Sequence, residues 1–223
     1  MKKLLLILLC VPLLFSCGEN KNSLTSENIK GNVKGIIETS FDAKEAFGEP
    51  QKENIRNKRK IQYDEDGNST ESTSYNADGE MTSKWKGQYD EDGNLTESTS
   101  YNADGEMTGK GKFKCDEDGN VRESTSYNAD GEMTGKGKFN EDGNVKESTY
   151  YNADGEMTGK WKFKCDEDGN LTETTVYNAD GEMTNKWKFQ YDKFDKIKNW
   201  IVRTEYINDI LKNIKEREIE YYE

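Results

Sequence analysis

The sequence predicts an all-β protein: an elongated antiparallel β-meander built from tandem 26-residue double-hairpin repeats with capping strands. Three observations predict it. The octapeptide Tyr-Asn-Ala-Asp-Gly-Glu-Met-Thr occurs five times without change, starting at Tyr75, Tyr101, Tyr127, Tyr151 and Tyr177. A second motif, Glu-Asp-Gly-Asn, alternates with it around Gly67, Gly93, Gly119, Gly143 and Gly169, and a fixed period of this kind marks a repeat architecture. Between the motifs, polar and aromatic residues alternate at period two, the pattern of half-buried strands, and no apolar stripe has helical spacing.

Residues 1–16 read as a signal peptide. Lys2 and Lys3 precede an apolar run from Leu4 to Phe15, which is too short to remain as a membrane-spanning helix. The ending Leu14-Phe15-Ser16-Cys17 resembles a bacterial lipobox. That resemblance implies cleavage before Cys17 and acylation of its thiol, which anchors a domain to a membrane without spanning it. Residues 17–30 are polar and read as a lipidated flexible tether. Residues 31–57 read as an N-terminal cap, with a strand over 33–41 and a short helical turn within 41–47. The hairpin repeats follow over 58–192, and 193–223 read as C-terminal capping strands around Asn208-Asp209. Terminal units that differ from the interior are expected of an array.

Each Asp-Gly is read as a chain reversal. In Asn76-Ala77-Asp78-Gly79-Glu80, Asn opens a type I turn and Gly supplies the left-handed residue that closes a three-residue hairpin loop. Counting outward from that loop places Tyr75 opposite Met81, Glu71 opposite Trp85 and Ser72 opposite Lys84. One face then collects Met81, Trp85, Tyr89, Leu95 and Tyr101, the other Ser, Thr and Lys. The turns at Gly131 and Gly143 are two residues closer than the pattern requires, a change that preserves the faces where a change of one would invert them.

Composition limits the function. Loss of Lys2 and Lys3 with the signal leaves 30 basic against 44 acidic residues, a formal charge of −14, which repels nucleic acid. There is no histidine, so the commonest general base and metal ligand is missing. Cys115 and Cys165 share the repeat slot that holds Tyr63, Tyr89 and Tyr191. In a meander they stand roughly 19 Å apart, beyond disulfide reach, and both are expected to be free thiols.

The run Gln88-Tyr89-Asp90-Glu91-Asp92-Gly93-Asn94-Leu95-Thr96-Glu97 resembles the YD repeat of Rhs-type proteins. With the lipobox and the terminal Asn199-to-Tyr221 segment, the chain resembles small YD-repeat lipoproteins of the Bacteroidota, which implies a β-hairpin array and little about activity. The run from Tyr151 to Trp161 also resembles cell-wall (choline) binding repeats.

Trp85, Trp161 and Trp187 occupy one repeat position, with Gly111 and Gly137 filling it in the middle copies. An exposed column of this kind offers stacking surfaces for sugar rings. Turns such as Asp116, Asp118 and Asn120 have calcium-like spacing, but they supply fewer than the six to eight oxygens calcium takes. No metal site is assigned and no cofactor is expected. The regular Glu column at 71, 97, 123, 147 and 173 is a structural feature, so no catalytic residue is assigned and the protein is read as not an enzyme. The resulting expectation is a lipid-anchored protein of the cell envelope, at the outer membrane, presenting a non-catalytic interaction or structural surface to an envelope protein. The alternative is a glycan or cell-wall module using the Trp column. Cys17 is the lipidation site, and nucleic acid is excluded as a partner.

Overall fold

A computed structural model describes residues 22–142 and 145–223. It contains one helical turn, α1 (Ser23–Ser26), and fourteen strands. These are β1 (Val33–Ala46), β2 (Glu49–Tyr63), β3 (Ser69–Asn76), β4 (Met81–Tyr89), β5 (Leu95–Asn102), β6 (Met107–Cys115) and β7 (Val121–Asn128). They continue as β8 (Met133–Asp142), β9 (Val145–Asn152), β10 (Met157–Cys165), β11 (Leu171–Asn178), β12 (Met183–Phe194), β13 (Trp200–Ile207) and β14 (Ile210–Tyr221).

The all-β antiparallel expectation holds, but the sheet is a closed barrel and not an open, elongated meander. The terminal strands are not caps. β1 pairs with β14 from Val33↔Tyr221 to Asp42↔Asn213, and this seam joins the two ends of the chain. Residues 41–47, read as a helical turn, continue β1 into the β1–β2 hairpin, where Phe47 and Gly48 take the positive φ angles of a two-residue turn. Asn208 and Asp209 do the same between β13 and β14.

The repeat turns form as their chemistry dictates. Asn76 N–H donates to the Glu80 carbonyl, Gly79 has φ of 85°, and the Asn76 side-chain oxygen accepts from the Asp78 and Glu80 amides. One residue beyond most of these turns, however, the ladder carries a bulge, the continuous β8–β9 ladder being the exception. Tyr75 pairs with Met81, but Ser74 pairs with Ser83, so Thr82 is extra. The same shift separates Tyr89↔Leu95 from Gln88↔Glu97, leaving Thr96 extra. Threonine suits that position because its hydroxyl turns back to the opposite strand: Thr96 Oγ1 donates to Gln88 O at 3.1 Å and Thr184 Oγ1 to Val176 O at 3.2 Å.

These bulges correct the expected faces. Ser72, not Glu71, lies opposite Trp85, and Thr73, not Ser72, lies opposite Lys84. Tryptophan therefore shares a face with serine and glycine, while lysine shares one with threonine, glutamate and tyrosine. Each bulge also adds twist, and repeated around the array the bulges favour a curled sheet in which β1 and β14 meet.

Candidate functional site

Pairing register separates lumen from exterior. The row Ile36–Ile61–Ser72–Trp85–Ser100 faces inward, and Ile36 and Ile61 are each only 1% exposed. The adjoining row Lys60–Thr73–Lys84–Tyr101 faces outward. Lysine pairs with glutamate across that outer face, as in Lys84–Glu71 at 2.9 Å, Lys160–Glu147 at 2.6 Å and Lys186–Glu173 at 2.8 Å.

A ring of fourteen strands about 4.8 Å apart and tilted about 40° has a backbone radius of roughly 14 Å. Eight-stranded barrels are filled by their own side chains, while those of sixteen or more leave a channel. This barrel falls between, and its lumen is lined unevenly. On the β8–β10 side an aromatic chain runs Phe139–Tyr150–Trp161–Phe163, with ring centroids 6.3, 5.9 and 6.3 Å apart. Trp161 and Tyr150 retain partial exposure, so the wall they form borders open space. Glycine lies beneath aromatic rings here: a Cβ at Gly137 would meet Phe139 Cζ at 3.1 Å and Ser124 Oγ at 2.7 Å.

The opposite wall, from β1, β2, β13 and β14, is charged. Glu38 lies between Lys215 at 3.0 Å and Arg217 at 3.1 Å. Glu205 pairs with Arg203, with Lys215 at 3.5 Å. Trp200 has the Arg217 guanidinium 3.5 Å from its ring centroid and that of Arg203 at 4.5 Å. Burial opposes ionisation of Glu38, yet Lys215, Arg217, Arg203 and Arg59 overcome it and hold its carboxyl well below the usual range. Glu205 is held low against burial in the same way, by Arg203 and Lys215.

Residues 22–32, placed in the tether and cap by sequence, cross the barrel mouth ringed by the Glu-Asp-Gly-Asn turns. At one side Leu24 N–H donates to Gly67 O at 3.0 Å and Asn22 Nδ2 to Asp66 O at 2.7 Å. At the other, Asn28 Nδ2 donates to Asp168 O at 3.0 Å, and Lys30 N–H to Asn199 Oδ1 at 2.7 Å. The β2–β3 and β10–β11 turns lie nearly opposite in the ring, so the segment is a strap. Leu24 and Ile29 anchor it by packing with Val33, Ile36, Ile61 and Tyr63.

Trp85, Trp161 and Trp187 all face the lumen, half-buried, and do not form one exposed column. The register offsets them: Trp161 sits in the row of Ser148 and Val176, Trp187 in the row of Thr174 and Ile207. Cys17 lies outside the described residues. Cys115 is free, whereas Cys165 is disulfide-bonded, against expectation. Among the described residues there is no metal-like cluster of acids and cysteines. Sequence reasoning missed the charged wall, although Arg203-x-Glu205 and Lys215-x-Arg217 carry charge at the period that puts both members on one face.

No protein-family model and no curated protein matches the chain. Among solved structures, a porin-like protein from Bacteroides uniformis is similar, with a TM-score of 0.52 and 9% identity over 84% of this chain and 96% of that one. A LolA superfamily protein from Nitrosomonas europaea aligns over 93% of this chain and 91% of that one, with a TM-score of 0.36 and 5% identity. The resemblance to Rhs-type YD-repeat lipoproteins is overturned: the hairpins build a closed barrel, the architecture shared with the porin-like protein.

Proposed function

We propose that the protein is a non-catalytic binding protein of the cell envelope, and that its ligand is an amphipathic small molecule held in the barrel lumen. The contrast between the two barrel faces carries this reading. Strands β4, β6, β8, β10 and β12 turn lysines outward at mid-strand, as with Lys84 and Lys86 or Lys160 and Lys162. A lysine facing hydrocarbon at mid-bilayer costs about 2–4 kcal/mol. The porin-like fold is therefore read here as a barrel standing in water, with its apolar surface inside. An aromatic wall opposite a charged wall suits a molecule with an apolar body and a polar end.

A lipid on Cys17 would tether the barrel to the outer membrane by five residues, at most about 18 Å of chain before Asn22. That length would hold the strapped mouth toward the bilayer. A glycan or cell-wall polymer stacking on an exposed Trp column is not favoured, because Trp85, Trp161 and Trp187 face inward. The test is titration with the neutral apolar fluorophore N-phenyl-1-naphthylamine. Saturable binding, weakened several-fold by Trp161→Ala, is expected. Absence of binding, or equal binding by the variant, refutes a lumenal site.

A further inference from the structure

The charged wall has more cation than its own carboxylates neutralise. Around Glu38 and Glu205 stand Arg59, Arg203, Lys215 and Arg217. Of the Arg217 donors only Nε is engaged, with Glu38 Oε2 at 3.1 Å. Arg59 likewise uses Nε alone, toward Ser72 Oγ at 2.8 Å. Their Nη groups make no hydrogen bond among the described residues, although Arg217 is only 8% exposed overall. Arg59 is half-buried, and a guanidinium with unengaged outer donors is a site for a charge-assisted, bidentate acceptor.

The strap already offers such an acceptor. Its Glu27 carboxyl enters the mouth and accepts a hydrogen bond from Tyr63 OH at 3.3 Å, within the field of Arg217 and Arg59 and facing Glu38. We propose that Arg59, Arg203, Lys215 and Arg217 form the head-group subsite for an anionic amphiphile, and that Glu27 on the strap stands in for that head group until ligand displaces it. This rests on the lumenal reading given above. Glu27 is a poor occupant: burial pushes its carboxyl above the usual glutamate value despite the nearby cations, and its bond to Tyr63 is long. A phosphate or carboxylate able to engage the free Nη donors replaces it with better geometry.

The chemistry also selects against a free anion. Both rims are ringed by acidic turns, such as Asp66 and Asp168 at the strapped mouth and Asp104 and Glu106 at the other. These repel a small anion, so the ligand must bring apolar surface for the aromatic wall.

The experiment compares dodecyl phosphate, dodecanol and inorganic phosphate by calorimetry below micellar concentration, on wild type, Glu27→Gln and Arg59→Gln. Dodecyl phosphate should bind wild type about tenfold more tightly than dodecanol, the scale of one charge-assisted pair. Inorganic phosphate should not bind measurably. Arg59→Gln, which breaks no ion pair among the described residues, should lose most of the preference. Glu27→Gln should increase the preference about fivefold. The ratio of the two dissociation constants cancels any change in strap closure, because both probes share the same tail and path. Equal affinity for the two dodecyl probes overturns the subsite while leaving the lumenal reading standing. No binding of either overturns both. Equal binding of inorganic phosphate overturns the amphiphile assignment, and an unchanged ratio in Glu27→Gln overturns the role given to the strap.

Discussion

Barrel closure makes an unusual prediction about deletions: a smaller excision should be more damaging than a larger one. Removing Tyr101 through Ser126 takes out 26 residues and rejoins Ser100 to an identical octapeptide at Tyr127. Two strands are lost, so the count stays even and β1 still meets β14 antiparallel. The backbone radius falls from roughly 14 Å to roughly 12 Å. Removing Met107 through Asn120 takes out 14 residues and one strand, joining Glu106 to Val121. The count becomes odd, and β1 and β14 would then run parallel. The seam that is lost comprises nine residue pairs. At about 1 kcal/mol net for each ladder hydrogen bond, closure contributes roughly 9 kcal/mol, comparable to the whole stability of a typical domain. Circular dichroism and hydrogen exchange on β1 and β14 read the result. The 26-residue deletion should keep β signal and seam protection, and the 14-residue deletion should lose both. Retained protection of β1 and β14 in the 14-residue deletion would refute the closure argument.

Two further outcomes follow from other parts of the molecule. Glu38 and Glu205 have folded pKa values below the ordinary glutamate value of 4.5, so they contribute stability that is present above about pH 4.5 and lost as pH falls through the folded values. The urea midpoint should therefore fall in acid below pH 4.5, and a Glu38→Gln variant should show a shallower fall; an acid dependence unchanged by that substitution would contradict the assignment. At the N-terminus, Cys17→Ser should leave the precursor unprocessed and release it from membranes, and retention after a carbonate wash would count against lipidation.

Much of the local structure was legible because its causes are local. Each Asp-Gly reversal follows from turn chemistry at positions such as Gly79 and Gly105, and alternation over eight or nine residues marks the strands between them. Face assignment from sequence fails because a single extra residue inverts it, and Thr82 and Thr96 are such residues. The recurrent threonine one residue past Met or Leu was the available signal: it satisfies a carbonyl across the bulge. Closure was not legible because the β1–β14 pairs join residues separated by nearly the full chain, and no repeat carries that register. The charged wall was missed for a related reason. Arg203, Arg217 and Glu38 come from segments read as separate caps, and they meet only when the seam forms. The strap was hidden because Leu24 and Ile29 are isolated apolar residues in a polar stretch, given a partner by the mouth they cover.

If the lumen is the binding site, a ligand that enters it meets Trp161, and quenching of that residue reports the encounter. The signal is the difference in fluorescence between wild type and Trp161→Phe during titration with 12-bromododecanoic acid, whose bromine quenches only on close contact. Saturable quenching of Trp161 at micromolar probe is expected, because its half-buried ring lines the lumen beside Tyr150 and Phe163. Quenching no stronger than that of free N-acetyltryptophanamide would show that the probe does not enter the barrel, and would overturn the lumenal site.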